Sequence, residues 1–186
     1  MALDATQVRS GLTGNLYQAP VGTTMPTDTS TALAAAWIEL GYVSEDGLTI
    51  TPSTEVEDIG AWQSLYPVRS VVTGRSLVTS FSLIQRNTVN LELAFGGGVV
   101  AVASLTSTYS PPTSATVYER AYVFQVNDGT IVDRWLLYRG FPTISGDITF
   151  KTDEAAAYSM EIRTLPDTAG LTWKLLSSDT TNLVAG

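Results

Sequence analysis

The amino-acid sequence predicts a mainly β fold, an antiparallel β-sandwich with one short flanking α-helix, from three observations. Between Tyr118 and Tyr138 two runs of apolar and aromatic residues flank Asn127-Asp128-Gly129-Thr130, as a β-hairpin requires. Polar and apolar residues alternate with the period of a strand over 48–57, 75–85, 147–153 and 156–165. Only Asn87 to Phe95 has the boundaries of a helix, with Asn87 as N-cap and Gly96 as C-terminal stop.

Residues 1–32, rich in Thr, Ser, Gly and Pro, read as an N-terminal arm with one strand candidate, Leu12 to Gln18. Such an arm either stays disordered or docks on a neighbour. The main domain is expected over 33–167. Ala34 to Tyr42 leans towards a strand because Trp37, Ile38 and Leu40 are β-prone or apolar. From Leu48 the side chains of Thr49, Thr51, Ser53, Glu55 and Glu57 share one face, opposite Leu48, Ile50 and Val56, so one face is wet. In 75–85 Ser76, Ser80 and Ser82 oppose Leu77, Phe81 and Leu83 in the same way. The two stretches are expected to pair antiparallel, joined by a long connection from Asp58 to Gly74 whose Trp62 and Tyr66 either pack locally or anchor a partner. After the helix, Gly96-Gly97-Gly98 is a flexible exit, since no Lys or Walker-type spacing accompanies it. Val99 to Leu105 reads as a short strand and Ser107 to Ser114 as a loop.

The hairpin carries the densest signal. Asp128-Gly129 suits a type I′ turn, which sets Tyr122 against Trp135 and Val126 against Ile131. One hairpin face then holds Tyr122, Phe124 and Leu137. The other holds Ala121, Val123 and Leu136 beside Gln125 and Arg134, and so calls for a further cover, for which a second subunit is one candidate. Asp147 to Asp153 and Ala156 to Leu165 follow as strands, with helix as the rival reading for Asp153 to Ile162. Residues 168–186 form a C-terminal tail with one strand, Leu171 to Leu176.

Composition removes several functions. The 186 residues include no Cys and no His, which excludes disulfides, thiolate chemistry, a Ser-His-Asp triad and ordinary zinc sites. The nearest thing to a catalytic carboxylate pair is Glu55, Glu57 and Asp58, without a cleft-building aromatic set, so no catalytic residue, metal or cofactor is expected. Ten basic against 18 acidic residues, a net charge of −8, argue against a nucleic-acid binder. No apolar run reaches the length of a membrane span and the first residues lack signal-peptide character, so folding in a cytoplasm is expected.

The order of an alternating strand, long loop, second alternating strand, helix, hairpin and returning strands resembles the major tail (tail tube) proteins of long-tailed bacteriophages, and points to the siphovirus type. The stretches that carry the likeness are Gly47-Leu48-Thr49-Ile50-Thr51-Pro52 into Glu55-Val56-Glu57-Asp58, Phe81 to Gly98, and Asp128-Gly129-Thr130 through Tyr138-Arg139-Gly140 to Ser145-Gly146-Asp147. Gly11 to Tyr17 is similar to the start of tail proteins from phages of actinobacteria.

The resemblance implies the tail-tube fold, a β-sandwich or partial barrel with a flanking helix. It further implies hexameric rings stacked into a tube that conducts the genome, with Thr49, Thr51, Ser53, Glu55, Glu57, Ser76, Ser80 and Ser82 lining the lumen. Leu12, Leu16, Tyr17, Trp62, Tyr66 and Arg69 would join one ring to the next. The implied partners are further copies of the chain, a tape-measure protein, tail initiator and terminator proteins, and double-stranded DNA passing without specific binding. The place implied is the virion tail, assembled in the host bacterial cytoplasm. Lys151 and Arg163 depart from an acidic lining. Deleting Met1 to Ala19 is expected to prevent stacking and spare the fold. A capsid decoration or other virion structural protein, and a carbohydrate-binding β-sandwich, are the alternatives.

Overall fold

The computed structural model describes residues 4–114 and 117–181, so the first three residues of the expected arm and the last five of the expected tail lie outside the described residues. After a single turn of 3-10 helix at Ala5–Gln7 come β1 (Thr13–Pro20), β2 (Ile38–Glu39), β3 (Val43–Ile59), β4 (Arg69–Leu83) and α1 (Thr88–Phe95). Then follow β5 (Val99–Ala103), β6 (Thr106–Ser110), β7 (Arg120–Asp128), β8 (Ile131–Ile144), β9 (Tyr158–Leu165) and β10 (Trp173–Ser177). All strands but β5 and β6 join one antiparallel sheet in the order β2-β1-β7-β8-β9-β4-β3, with β10 also on β8; β5 and β6 pair as a separate hairpin.

That sheet is strongly coiled. Strands β4 and β7 lie three places apart in it, roughly 14 Å along a flat sheet, yet the rings of Phe81 and Phe124 approach to 5.7 Å between centroids. The sheet therefore wraps around its own inner face as a partial barrel. Inside are Leu16, Leu83, Tyr122, Phe124, Met160 and Ile162, with Leu93 of α1 completing the core. Gly140 is required where β8 bulges past β7, because a Cβ there would stand 2.7 Å from Ile162 Cγ2 and 2.8 Å from Tyr122 Cε2.

The helix forms where expected, and its caps explain why. Asn87 Oδ1 accepts the Asn90 backbone N–H at 2.8 Å, and Gly96 takes the left-handed conformation at φ 72 that ends the helix. Asn90 is fully buried and its side-chain amide donates to Leu40 O at 2.8 Å and to Gln85 O at 2.7 Å. One side chain thus ties the helix to the segment entering β3 and to the segment leaving β4.

The second face of the β7–β8 hairpin is covered by the chain's own N-terminal segment, which corrects the need for another subunit there. Met25, Leu33 and Trp37 pack on Ala19, Ala121, Val123 and Leu136. Buried Arg134 fastens this cover: Nη1 donates to Asp28 O at 2.9 Å and Thr31 O at 3.0 Å, and Nε donates to Gln125 Oε1 at 3.0 Å. Asp28 in turn accepts the backbone N–H groups of Ser30 and Thr31 at 2.8 and 2.6 Å, and these bonds hold its carboxyl down at about 2.

Other expectations change in detail. The β7–β8 turn is Gly129-Thr130, with Gly129 at φ 60 and Asp128 opposite Ile131, so Tyr122 faces Leu137 and Phe124 faces Trp135. A slip of two residues keeps each side chain on its face, so the core assignment survives. Residues 147–153 form no strand; Lys151 there pairs with Glu154 at 2.8 Å. Ser107 to Ser110, within the stretch expected as loop, belongs to β6 and pairs with β5, and the strand expected over Ala156 to Leu165 runs from Tyr158, without the rival helix. Because β1 lies between β2 and β7 and supplies Leu16 and Ala19 to the two cores, deleting residues 1–19 would remove part of the fold itself.

Replacing Asn90 by Leu leaves the buried Leu40 carbonyl and the part-buried Gln85 carbonyl without these donors, an unpaired buried group costing about 1–3 kcal/mol. Urea unfolding of Asn90→Leu is expected to show a loss of about 2–4 kcal/mol, and an unchanged midpoint would refute the tie. Asp28 has its folded pKa below the ordinary 3.8, so its contribution is complete above that value and lost as pH falls through about 2. The amide resonances of Ser30 and Thr31 should titrate over that window, and Asp28→Ala should abolish the titration.

Candidate functional site: an extended hairpin and a polar strip

Strands β3 and β4 remain paired from Val43 opposite Leu83 out to Ile59 opposite Arg69. The connection expected over Asp58 to Gly74 is therefore much shorter, a tip of residues 60–68. The hidden part of β4 is interrupted by a bulge: Glu55 faces Gly74 and Val56 faces Val72, leaving Thr73 as the extra residue. Strand β9 supports β4 only from Val78 to Leu83. Beyond Thr51 and Val78 the hairpin projects as two bare strands for eight residues of β3, about 27 Å, which no other sheet strand accompanies.

The tip is built rather than loose. Val68 N–H donates to Ile59 O at 2.8 Å, Ser64 N–H to Ala61 O at 3.1 Å, and Ser64 Oγ to Tyr66 O at 2.8 Å. These bonds present Trp62, Leu65 and Tyr66 to solvent at 99%, 101% and 81% exposure. Val56, Ile59, Val68 and Val72 along the shaft are exposed as well. A two-stranded hairpin is marginal alone in water, and an apolar end of this kind marks an interaction surface. Each large apolar side chain buried there would contribute about 1.5–3 kcal/mol. Arg69 begins β4 at the base of the tip and is exposed.

The polar residues expected on one face do share one. Thr49 lies opposite Ser80 and Ser53 opposite Ser76, while Thr51, Glu55 and Glu57 alternate with them on β3. The strip continues onto β9, where Ser159 faces Ser82, Glu161 faces Ser80 and Arg163 faces Val78; the Ser82 and Ser159 hydroxyls are 3.1 Å apart. Arg163 thus lies on this face, whereas Lys151 is in the loop before β9. The outer face of the sheet is divided in two. Over β1, β7 and β8 it is roofed by the N-terminal segment, and over β9, β4 and β3 it is open and polar.

Of the other expected contact residues, Leu12 is exposed beside β1, Tyr17 is half-buried against the N-terminal cover, and Leu16 is 4% exposed within the core and already engaged. The exposure of Leu65, and of Leu105 at the turn of the β5–β6 hairpin, is invisible in the sequence because an apolar residue between turn formers reads equally as buried. Among the described residues no group of three or more acidic side chains is placed to hold a metal ion, and no helix is long and apolar enough to cross a membrane.

A family model described as "Phage tail tube protein" matches residues 1–185. A comparison with curated proteins found no match.

The unsupported half of the hairpin should open far more readily than its root. In hydrogen exchange on the isolated subunit, amides of 53–59 and 69–76 are expected to exchange at least about a hundredfold faster than those of Val78–Leu83; equal protection would mean that the shaft is stable unaided.

Proposed function

The chain belongs to the phage tail tube protein family, a structural and non-enzymatic component of the virion tail, and on that premise we propose that it assembles into hexameric rings stacked into the conduit for genome ejection. The observation that carries this reading is the hairpin: about 27 Å of two-stranded sheet ending in Trp62, Leu65 and Tyr66 has no partner strand among the described residues. A neighbouring subunit supplies one. Strand β3 is also the outer strand of the sheet, and closure of a ring would satisfy its free edge.

In such a ring the open polar strip faces the lumen. Hydroxyls of Thr49, Thr51, Ser53, Ser76, Ser80 and Ser82, interspersed with Glu55, Glu57 and Glu161, offer duplex DNA no run of cations to bind. Six copies bring a formal charge of six times −8, about −48 per ring, which repels phosphate over about a Debye length of 10 Å. Arg163 adds one cation per subunit among these groups. The tube forms around a tape-measure protein between an initiator and a terminator, in the host cytoplasm.

Negative-stain microscopy of the purified chain over a concentration series, alone and with tail initiator, should show hollow tubes. Only monomers under both conditions would sink the proposal and favour a decoration or sugar-binding role. Replacing Trp62, Leu65 and Tyr66 together by Ser should leave folded subunits that do not assemble. The lining is tested separately: tubes of Glu55→Lys with Glu57→Lys are expected to co-sediment with linear duplex DNA at low salt and release it as salt rises, whereas wild-type tubes should not bind it.

A further inference from the structure

Two Asp-Gly steps occur in the sequence, Asp46-Gly47 within β3 and Asp128-Gly129 at the end of β7. In such a step the glycine nitrogen, unhindered by a side chain, can close on the carboxyl carbon of the aspartate before it. The fold holds the two steps very differently. Asp128 is fixed: its Oδ2 accepts the Ser10 N–H at 3.2 Å and its Oδ1 accepts the Ser10 hydroxyl at 3.1 Å. Its backbone is pinned opposite Ile131 across a two-residue turn, and the preceding Asn127 O accepts the Leu12 N–H at 3.0 Å. Turning that carboxyl onto the Gly129 nitrogen breaks both bonds to Ser10 and twists the turn.

Asp46 has none of these restraints. It is exposed, and among the described residues its carboxylate has no hydrogen bond or ion pair. Val43 lies opposite Leu83 and Leu48 opposite Phe81, so residues 44–47 bulge out against Ser82 alone. Strand β3 is also the outermost of the sheet, so no strand lies on its other side. Gly47 takes φ 68, and a Cβ there would meet nothing within 4 Å, which leaves room for a ring to close. We infer that Asp46 is a site of spontaneous isomerisation to isoaspartate, and that the fold directs this reaction to Asp46 and away from Asp128. The Gly47 nitrogen forms a bond to the side-chain carboxyl carbon of Asp46, and the carboxyl hydroxyl leaves with the amide proton as water. Water then opens the five-membered succinimide. Cleavage of the new bond restores aspartate, whereas cleavage at the former backbone carbonyl routes the chain through the side chain and frees an α-carboxylate. One water is lost and one regained, so mass and charge are unchanged and no second reactant is consumed. The product has one extra methylene in the backbone, which the bulge absorbs between the fixed pairs at Val43 and Leu48.

The test ages the full chain as isolated subunits in warm, mildly acidic buffer, where the neutral carboxyl expels water readily. Samples are digested, and the peptides carrying residues 46 and 128 are fragmented by electron transfer, which gives ions specific to isoaspartate. Methylation by an isoaspartyl methyltransferase with a labelled methyl donor measures the total independently. Isoaspartate is expected to accumulate at residue 46 at least about tenfold faster than at 128, as the need to break two hydrogen bonds at the latter requires. Circular dichroism should remain that of the folded chain, and Asp46→Glu, which would have to close a larger ring, should lose most of the methylation. In urea, where the fold is gone, the two steps should react at similar rates. No isoaspartate at residue 46, or equal amounts at 46 and 128 in the folded chain, overturns the inference. The same preference for 46 in urea overturns it too, since the difference would then belong to the local sequence rather than to the fold.

Discussion

The two hydrogen bonds from the buried Asn90 amide to Leu40 O and Gln85 O tie the one helix to the root of the longest hairpin in the sheet. Leu40 lies between the short edge strand β2 and the start of β3, while Gln85 follows the end of β4. The entry and exit of the long hairpin are already joined there, with Ile84 N–H donating to Tyr42 O at 3.0 Å and Val43 opposite Leu83, and the clasp adds the helix to that root. With it, the root of the hairpin is set against α1, and α1 is set into the barrel by Leu93. A side chain in the dry core thereby governs the direction of an element whose far end is entirely in water.

The sheet presents one curved outer surface with two characters. Arg134 draws the segment around Asp28 and Thr31 over the strands that lie next to β1, and Trp37 seals that cover. Among the described residues no segment extends over β9, β4 and β3, whose outward residues are hydroxyls and charges apart from Val78. The same backbone geometry therefore serves as an interior wall on one side and as a solvated wall on the other. The difference is made by chain connectivity, since the 17 residues between β1 and β2 suffice for one half only.

Much of this could be read in the sequence. Period-two alternation located β3, the inner part of β4 and β9, and placed the polar strip on one face; Asn87 and Gly96 bounded the helix. What stayed hidden has physical causes. Alternation in β4 breaks at the Thr73 bulge, so the strand beyond it looked like loop. The N-terminal cover uses Met25, Leu33 and Trp37, which follow no period because the segment is irregular. Residues 147–153 alternate well, yet among the described residues no strand pairs with them, and alternation alone does not make a strand.

Strand β1 has a consequence for the order of folding. Its long partner is β7, and 114 residues separate Thr13 from Asn127, whereas the nearer β2 pairs only with Tyr17 and Gln18. During synthesis most of the first strand therefore waits, unpaired, until most of the chain has emerged. The β3–β4 hairpin has no such delay, since hairpins close within about 1–10 μs. The apolar tip proposed to meet a neighbour is thus synthesised before the barrel that carries it can close, and a growing chain exposes it while its own core is still open. Tail subunits made in large numbers must outrun that interval, and the rate of barrel closure decides how many reach the tube rather than an aggregate.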